Sequence, residues 1–534
     1  MGRLYETLQT RATAWFLAAL GTFLCLQLFV LPDASVFLGG DQWIYMMEAR
    51  RMLEGQVIYR DFFEFLPAGI DLVYKILLDT FGPRAWIPNA ALVLLGVSLA
   101  GLCVMLSKQI LTGSVAYLPA LLFVVFAFRS GLDGTHHWFS ALAVVAAVAV
   151  LIENRTVPRV AAAGVLCGIA SDFTTTRGFL AAVGFALYLI WEARRRRRTW
   201  RELWRFEFVL LAGFLLPVIA LNAYFVWKVG QEQFVEATVG FLAKYYAKDA
   251  QWNTLQVYMT EVPPAGSWHR WPILGVWLFN QFLQPMIYLL IFSRYWRARS
   301  LADEKTWDKL MLLNITGLFL FVGVAPAPAT VRLVSISLPA LILFTWYIHS
   351  WGRAGKILIR LLAVAAMILA VGASFERQVR REKILDLPSG RTAFLNPVAY
   401  ERFRWMLEHT RPGEYFFEGE FADMYYPLLL RNPAKVPFLT NTEYTRPEHV
   451  EDVVKSLEKQ RVRLVHWSLV LDVPRGNKAG DNLGPLRKYL RDNYRLVQTF
   501  SDSSQVWERV ESGPPAIDRG QANRSGHSLE PPGM

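Results

Sequence analysis

Between Ala90 and Met105 no side chain carries a charge, and the same holds from Leu361 to Ala370. Such stretches are stable in a packed interior or in the hydrocarbon of a bilayer, where a helix satisfies its own backbone. Comparable apolar segments recur at 13–31, 88–107, 114–128, 138–152, 159–171, 178–191, 206–228, 272–293, 309–324, 333–350 and 357–375. A span takes roughly 20 apolar residues, fewer where its end meets a water-filled cavity. Composition agrees: 54% of the 534 residues are hydrophobic and 19% charged, against about 25% charged in ordinary globular chains. The sequence predicts a polytopic α-helical membrane protein of about eleven transmembrane helices, with membrane lipids as its first partners.

The first segment is long for the apolar core of a cleaved signal, and Pro32-Asp33 is a poor cleavage context, which predicts a retained anchor. The net charge of +12 does not point to nucleic acid, because the basic residues fall in short runs between apolar segments, as at Arg194 to Arg198. Cys25, Cys103 and Cys167 all lie inside apolar segments and suggest neither a disulfide framework nor a metal cluster.

Lys and Arg in short loops set orientation. Arg3 and Arg11, Arg155 and Arg159, Arg194 to Arg198, and the group Arg294, Arg297, Arg299 and Lys305 share the cytoplasmic side if the N-terminus is inside and 160–191 is crossed twice. Arg377, Arg380, Arg381 and Lys383 then fall on the outer face, which a large translocated domain tolerates. The expected placement is the bacterial inner membrane, with an extracytoplasmic C-terminal unit.

The expected division is a membrane domain at 1–375, a small α/β soluble domain at 376–510 and a disordered tail at 511–534, rich in Pro, Gly and Ser. The outer loop 32–87 holds two amphipathic segments expected at the membrane interface, 41–55 with Ile44, Met47 and Met52 on its apolar face, and 72–81. A second outer loop, 229–271, carries Tyr245, Tyr246, Trp252 and Tyr258, enough aromatics to touch a substrate or the lipid headgroups, interfacial anchoring being the commoner role. Phosphate-loop, zinc-helix, GxSxG and CxxC signatures are missing from the sequence.

Ionisable groups gather at the outer ends of spans, where a charge is costly without a partner or a task. They are Asp41, Tyr59 to Glu64, the stretch Asp133-Gly-Thr-His136-His137, Asp172 to Arg177, and Arg332. Several flanking spans are short, so these groups predict a polar cavity in the outer leaflet suited to a lipid tail with a phosphate head. Each has a plainer reading. Asp41 fits an N-cap, Asp133 fits a cap of the following span, and Asp61 and Glu64 suit pairing with Arg60 or solvent. His136 and His137 suit hydrogen-bonded structural roles better than metal binding beside Asp133, and Arg177 and Arg332 suit snorkelling anchors.

The first loop reads Gly39-Gly40-Asp41-x-x-x-Tyr45, then Ala49-Arg50, Gly55, Tyr59-Arg60-Asp61-Phe62-Phe63, Pro67-x-Gly69 and Phe81-Gly82. This pattern, with the His-His-Trp-Phe stretch and the span count, resembles the GT-C membrane glycosyltransferases of the protein O-mannosyltransferase and aminoarabinose-transferase type. The resemblance implies a polyprenyl-phosphate sugar donor and an extracytoplasmic site. It places Asp41 at the family's first-loop catalytic acid and Asp133 where many members carry a second acid. The family's frequent Lys-Pro-Pro is replaced by Leu66-Pro67-Ala68, so the cation meeting the donor phosphate comes from elsewhere. Arg177 and Arg332 are the candidates, and Tyr45, Arg60, Asp61 and His137 complete the expected substrate-binding set. The acceptor is left as lipid, glycan or protein, no cofactor or metal is required, and a lipid transporter or a non-catalytic scaffold stays open.

Overall fold

A computed structural model describes residues 2–249, 271–298, 304–379, 383–473 and 481–510. Trp252, Tyr258, Arg299, Arg380, Arg381 and the tail 511–534 lie outside them.

Every expected apolar segment is helical. The bundle is built from α1 (Gly2–Leu28), α4 (Ile87–Lys108), α5 (Gly113–Phe128), α6 (His136–Leu151), α7 (Val157–Phe173), α8 (Thr175–Arg195), α9 (Trp200–Val229), α10 (Leu274–Arg297), α11 (Glu304–Val324), α12 (Leu338–His349) and α13 (Arg353–Val379). Between α1 and α4 lie the loop helices α2 (Gln42–Leu53) and α3 (Gly69–Phe81). Six of the bundle helices, α1, α4, α9, α10, α11 and α13, are long and apolar enough to cross a bilayer unaided, and the protein is an integral membrane protein. Along α9, Phe208, Leu211, Leu216 and Ile219 face outward, as do Leu361, Ile368, Val371 and Phe375 on α13. Faces this apolar are stable against lipid.

Segment 160–191 folds as two helices, α7 and α8, that return on each other. The backbone breaks at Thr174, in extended conformation between α7 and α8. The far ends of the pair meet again, where Arg155 reaches Glu192 at 3.5 Å and Arg198 reaches the same carboxylate at 3.4 Å. Arg195 and Arg196 hold Asp308 at 2.9 and 2.6 Å. The arginine run is therefore also a clamp joining α8 to the start of α11. Helices α7 and α9 touch backbone to backbone: a Cβ on Gly164 would lie 2.4 Å from the Leu210 carbonyl oxygen, so only glycine permits the crossing.

Two mixed sheets lie beyond the opposite end. In the first, β1 (Phe29–Val30) and β2 (Ala34–Val36) from the loop after α1 join β4 (Gly390–Phe394) and β3 (Lys383–Leu387), with β2 and β4 parallel. The second runs β5 (Phe416–Glu418), β6 (Leu464–Trp467), β8 (Gln505–Arg509) and β7 (Tyr494–Thr499), accompanied by α14 (Pro397–His409), α15 (Pro447–Lys459) and α16 (Gly484–Asn493). Helices and strands alternate through this unit, as the expected α/β composition implies. Loop and C-terminal chain share one core: Phe37 stacks on Trp43 at 5.4 Å and on Phe394 at 5.1 Å.

The expected one-sided interfacial face of α2 is not what folds. Gln42, Trp43, Tyr45, Met46, Met47, Glu48 and Ala49 are all buried. Met47 packs in the C-terminal core, while Trp43 and Met46 pack with α3. Sequence periodicity finds the helix but cannot show that protein covers it on both sides.

Candidate active site

Gly40 turns the chain into α2 with φ +132°, and a Cβ there would lie 2.4 Å from Asp133 Oδ2. That close approach lets the Asp133 carboxylate accept the backbone N–H groups of Asp41, at 3.1 Å, and Gln42, at 3.2 Å. Asp133 thus caps α2 from the α5–α6 loop, and Thr135 caps α6 by accepting the His137 N–H at 3.3 Å. Gln42 and Tyr74 complete the joint: Gln42 Oε1 accepts the Gly134 N–H at 2.9 Å, and Tyr74 donates to the Gly134 carbonyl at 2.7 Å.

The Asp41 side chain is exposed at the head of this buried helix. Desolvation by the surrounding protein raises its carboxyl above the usual range, and the Arg332 guanidinium pulls it down. Asp133 is pushed well above the carboxylate range, first by burial and then by Asp41, against the two amides it accepts. Of this acidic pair Asp41 is the group whose ionised form the Arg332 charge favours.

Arg332 stands on the short helix Thr330–Val334, donating to the Tyr246 hydroxyl at 2.8 Å and to the Ala327 carbonyl at 3.3 Å. Tyr246, from the chain after α9, packs on Phe65 at 4.8 Å, so at least this aromatic is a wall of the site. Arg177 donates to Ser140 at 2.7 Å, to Ser335 at 2.8 Å and to the His137 carbonyl. Its guanidinium ties α6, α8 and the turn after Arg332 together, close enough for the two arginines to repel. His136 bonds Thr174 at 2.8 Å and His137 is buried beside it, their ring centroids 4.0 Å apart. Tyr45 lies one helical turn below Asp41, edge-on to His136 at 6.2 Å. Among the described residues no group of three or more His, Cys, Asp or Glu side chains is arranged to hold a metal ion.

Asp41, Asp133, Tyr45, His137, Arg177 and Arg332 are thus brought to one region. Arg60 and Asp61 pair with each other at 2.8 Å, and Asp61 lines a different cavity at the far end of α2. Sequence reasoning missed Asp423 of the C-terminal chain. Burial and Asp41 raise its carboxyl to about 6, while Arg402 and the Gly40 amide pull it down. It also missed what Glu64 does. Glu64 accepts the N–H groups of Phe65 and Leu66 at 2.6 and 2.8 Å. Buried Glu48 lies near Glu64 and Asp71, and neither of its oxygens has a hydrogen-bond partner. Burial, and then the neighbouring Glu64, raise Glu48 and Asp71 well above their usual range. No local pattern marks either feature, because each joins distant segments.

A helical bundle with helices in its first outer loop and an α/β layer above an acid-and-arginine site defines a GT-C-like membrane fold. The same fold is found in ArnT from Cupriavidus metallidurans, solved in the apo state (TM-score 0.59, 15% identity, covering 95% of this chain and 100% of that one). It is found again in that protein bound to undecaprenyl phosphate (TM-score 0.57, 14% identity, covering 95% and 99%). No family model matches the sequence, and no curated protein matches it.

Proposed function

We propose that this chain is a glycosyltransferase that moves a sugar from a polyprenyl-phosphate-linked donor to a lipid, glycan or protein acceptor on the extracytoplasmic face. The observation that carries this reading is Asp41, exposed at the head of a buried helix and set against Arg332. The fold, shared with a protein solved with undecaprenyl phosphate bound, supports it.

Asp41 takes the acceptor hydroxyl proton as the oxygen attacks the anomeric carbon. The bond from that carbon to the phosphate oxygen breaks, and polyprenyl phosphate leaves with the electron pair. Arg332 stabilises the departing phosphate, and Arg177 holds the turn that carries Arg332. Attack opposite the leaving group inverts the anomeric centre. No step in this scheme needs a metal ion or cofactor. Asp133 is a positioning residue that fixes the start of α2. The scheme places the N-terminus in the cytoplasm and the 376–510 unit outside, in a bacterial inner membrane.

The test uses purified protein in lipid with a panel of radiolabelled polyprenyl-phosphate sugars, comparing wild type with Asp41→Asn, both checked for folding. Sugar transfer or slow donor hydrolysis by wild type alone is expected. Equal turnover by both would move the base elsewhere, and translocation of intact donor without turnover would make the protein a lipid transporter.

A further inference from the structure

A cavity of about 380 Å³ opens at the other end of α2, between that helix and the C-terminal chain. Small-molecule sites run from about 300 Å³ upward and combine apolar walls with a few placed polar groups; here polar groups predominate. Arg50 comes from α2, Arg431 from the loop after β5, and Lys435 and Lys459 from the same side of the C-terminal chain.

The carboxylates at this cavity are already engaged. Glu54 is shared by Arg50 at 3.4 Å and Arg431 at 3.7 Å, so two guanidinium groups meet one negative charge. Asp61 is held by Arg60 and accepts the Val57 N–H at 2.8 Å, and Asp452 accepts the Lys435 N–H at 2.8 Å. Arg51 is also committed, donating to Gln56 at 2.7 Å and to the Ala434 carbonyl at 3.0 Å, and it stabilises the wall. Among the described residues no carboxylate lies within ion-pair distance of the Lys435 or Lys459 ammonium group. The cavity therefore carries excess positive charge, with the half-buried Tyr415 and the Gln460 amide beside it, while the Asn432 amide is committed to the Val436 carbonyl and the Ala434 N–H. A tyrosine, an amide and an excess of cations over carboxylates suit a saccharide bearing a phosphate or carboxylate.

We propose that this cavity binds the anionic saccharide portion of the acceptor, a reading that rests on the glycosyltransferase function above. Arg50 stands nine residues beyond Asp41, about 14 Å along the helix axis, so one rigid element would set the spacing between the bound anion and the hydroxyl presented to Asp41.

The test measures binding of glucose 1-phosphate, galacturonic acid, glucose and inorganic phosphate to the full-length protein in lipid nanodiscs, without donor. Wild type should bind the two anionic sugars with an affinity that falls as salt rises, and should bind glucose at least tenfold more weakly. Arg431→Gln combined with Lys435→Gln should weaken the anionic sugars tenfold or more. Lys488→Gln, an exposed site on α16, should leave them unchanged. Equal binding by the double variant, or equal binding of glucose, would overturn the proposal. Inorganic phosphate binding as tightly as the sugar phosphate would overturn its saccharide part. Because no turnover is read, these outcomes are independent of the donor-cleavage test, whose failure would remove the glycosyltransferase reading while leaving the binding result standing.

Discussion

The two ends of α2 differ in nearly every physical respect. At its head, one exposed carboxylate stands among buried groups and faces Arg332, against the membrane bundle. At its tail, guanidinium and ammonium groups outnumber carboxylates around a polar cavity shared with the C-terminal chain. The same buried helix carries both, so its burial holds the acid-and-arginine end and the cationic end at a fixed separation.

The comparison breaks most severely at the head. Asp41→Asn should lower transfer by about 10²- to 10⁴-fold, the usual contribution of a positioned base, with little change in probe binding at the tail; radiolabel transfer and binding assays check the two together. Arg332→Gln should cost about 10²- to 10³-fold in kcat, in line with loss of one donor at a developing charge. The same variant sharpens the electrostatic account. A base must be deprotonated to act, so activity should fall as pH falls through a midpoint above the ordinary carboxylate value of about 4. Removing the Arg332 charge, which holds the Asp41 carboxyl down, should move that midpoint to higher pH. Asp423→Asn, which removes a neighbouring negative charge, should move it to lower pH by a smaller step.

The smallest effect lies between the two ends, on stability. Glu48 has its carboxyl raised in the fold by burial. The folded state therefore keeps a proton that the unfolded chain releases above about 4.3, and this group's stabilisation is lost as pH rises through the folded value. Glu48→Gln should raise stability at pH 7 by on the order of 1 to 3 kcal/mol and give no gain below about pH 4, read from thermal unfolding at the two pH values. Equal gain at both would show that packing, not ionisation, sets the effect.

Legibility differed along the chain for reasons that particular residues show. Apolar runs mark the helices because lipid and packed cores both demand them, and 448–459 and 462–469 show their periods locally. Asp41, Tyr45 and Asp133 stood out through the first-loop and inter-span patterns, and Arg332 through a charge placed at the edge of an apolar segment. By contrast, Asp133 as a cap on α2 depends on a contact 91 residues away, and Asp423 comes to Gly40 from the C-terminal part of the chain.

The sequence by itself determined that the chain is helical and embedded in lipid, since apolar runs recur along most of its first 375 residues in greater number than one packed interior needs, and it named most of the acid and arginine residues at the site. Tertiary structure alone decided that α2 is covered on both sides, that β1 and β2 complete a sheet with β3 and β4, and which carboxylate meets a cation. Those outcomes depend on desolvation and charge between residues far apart in the chain, and neither leaves a local periodicity to read.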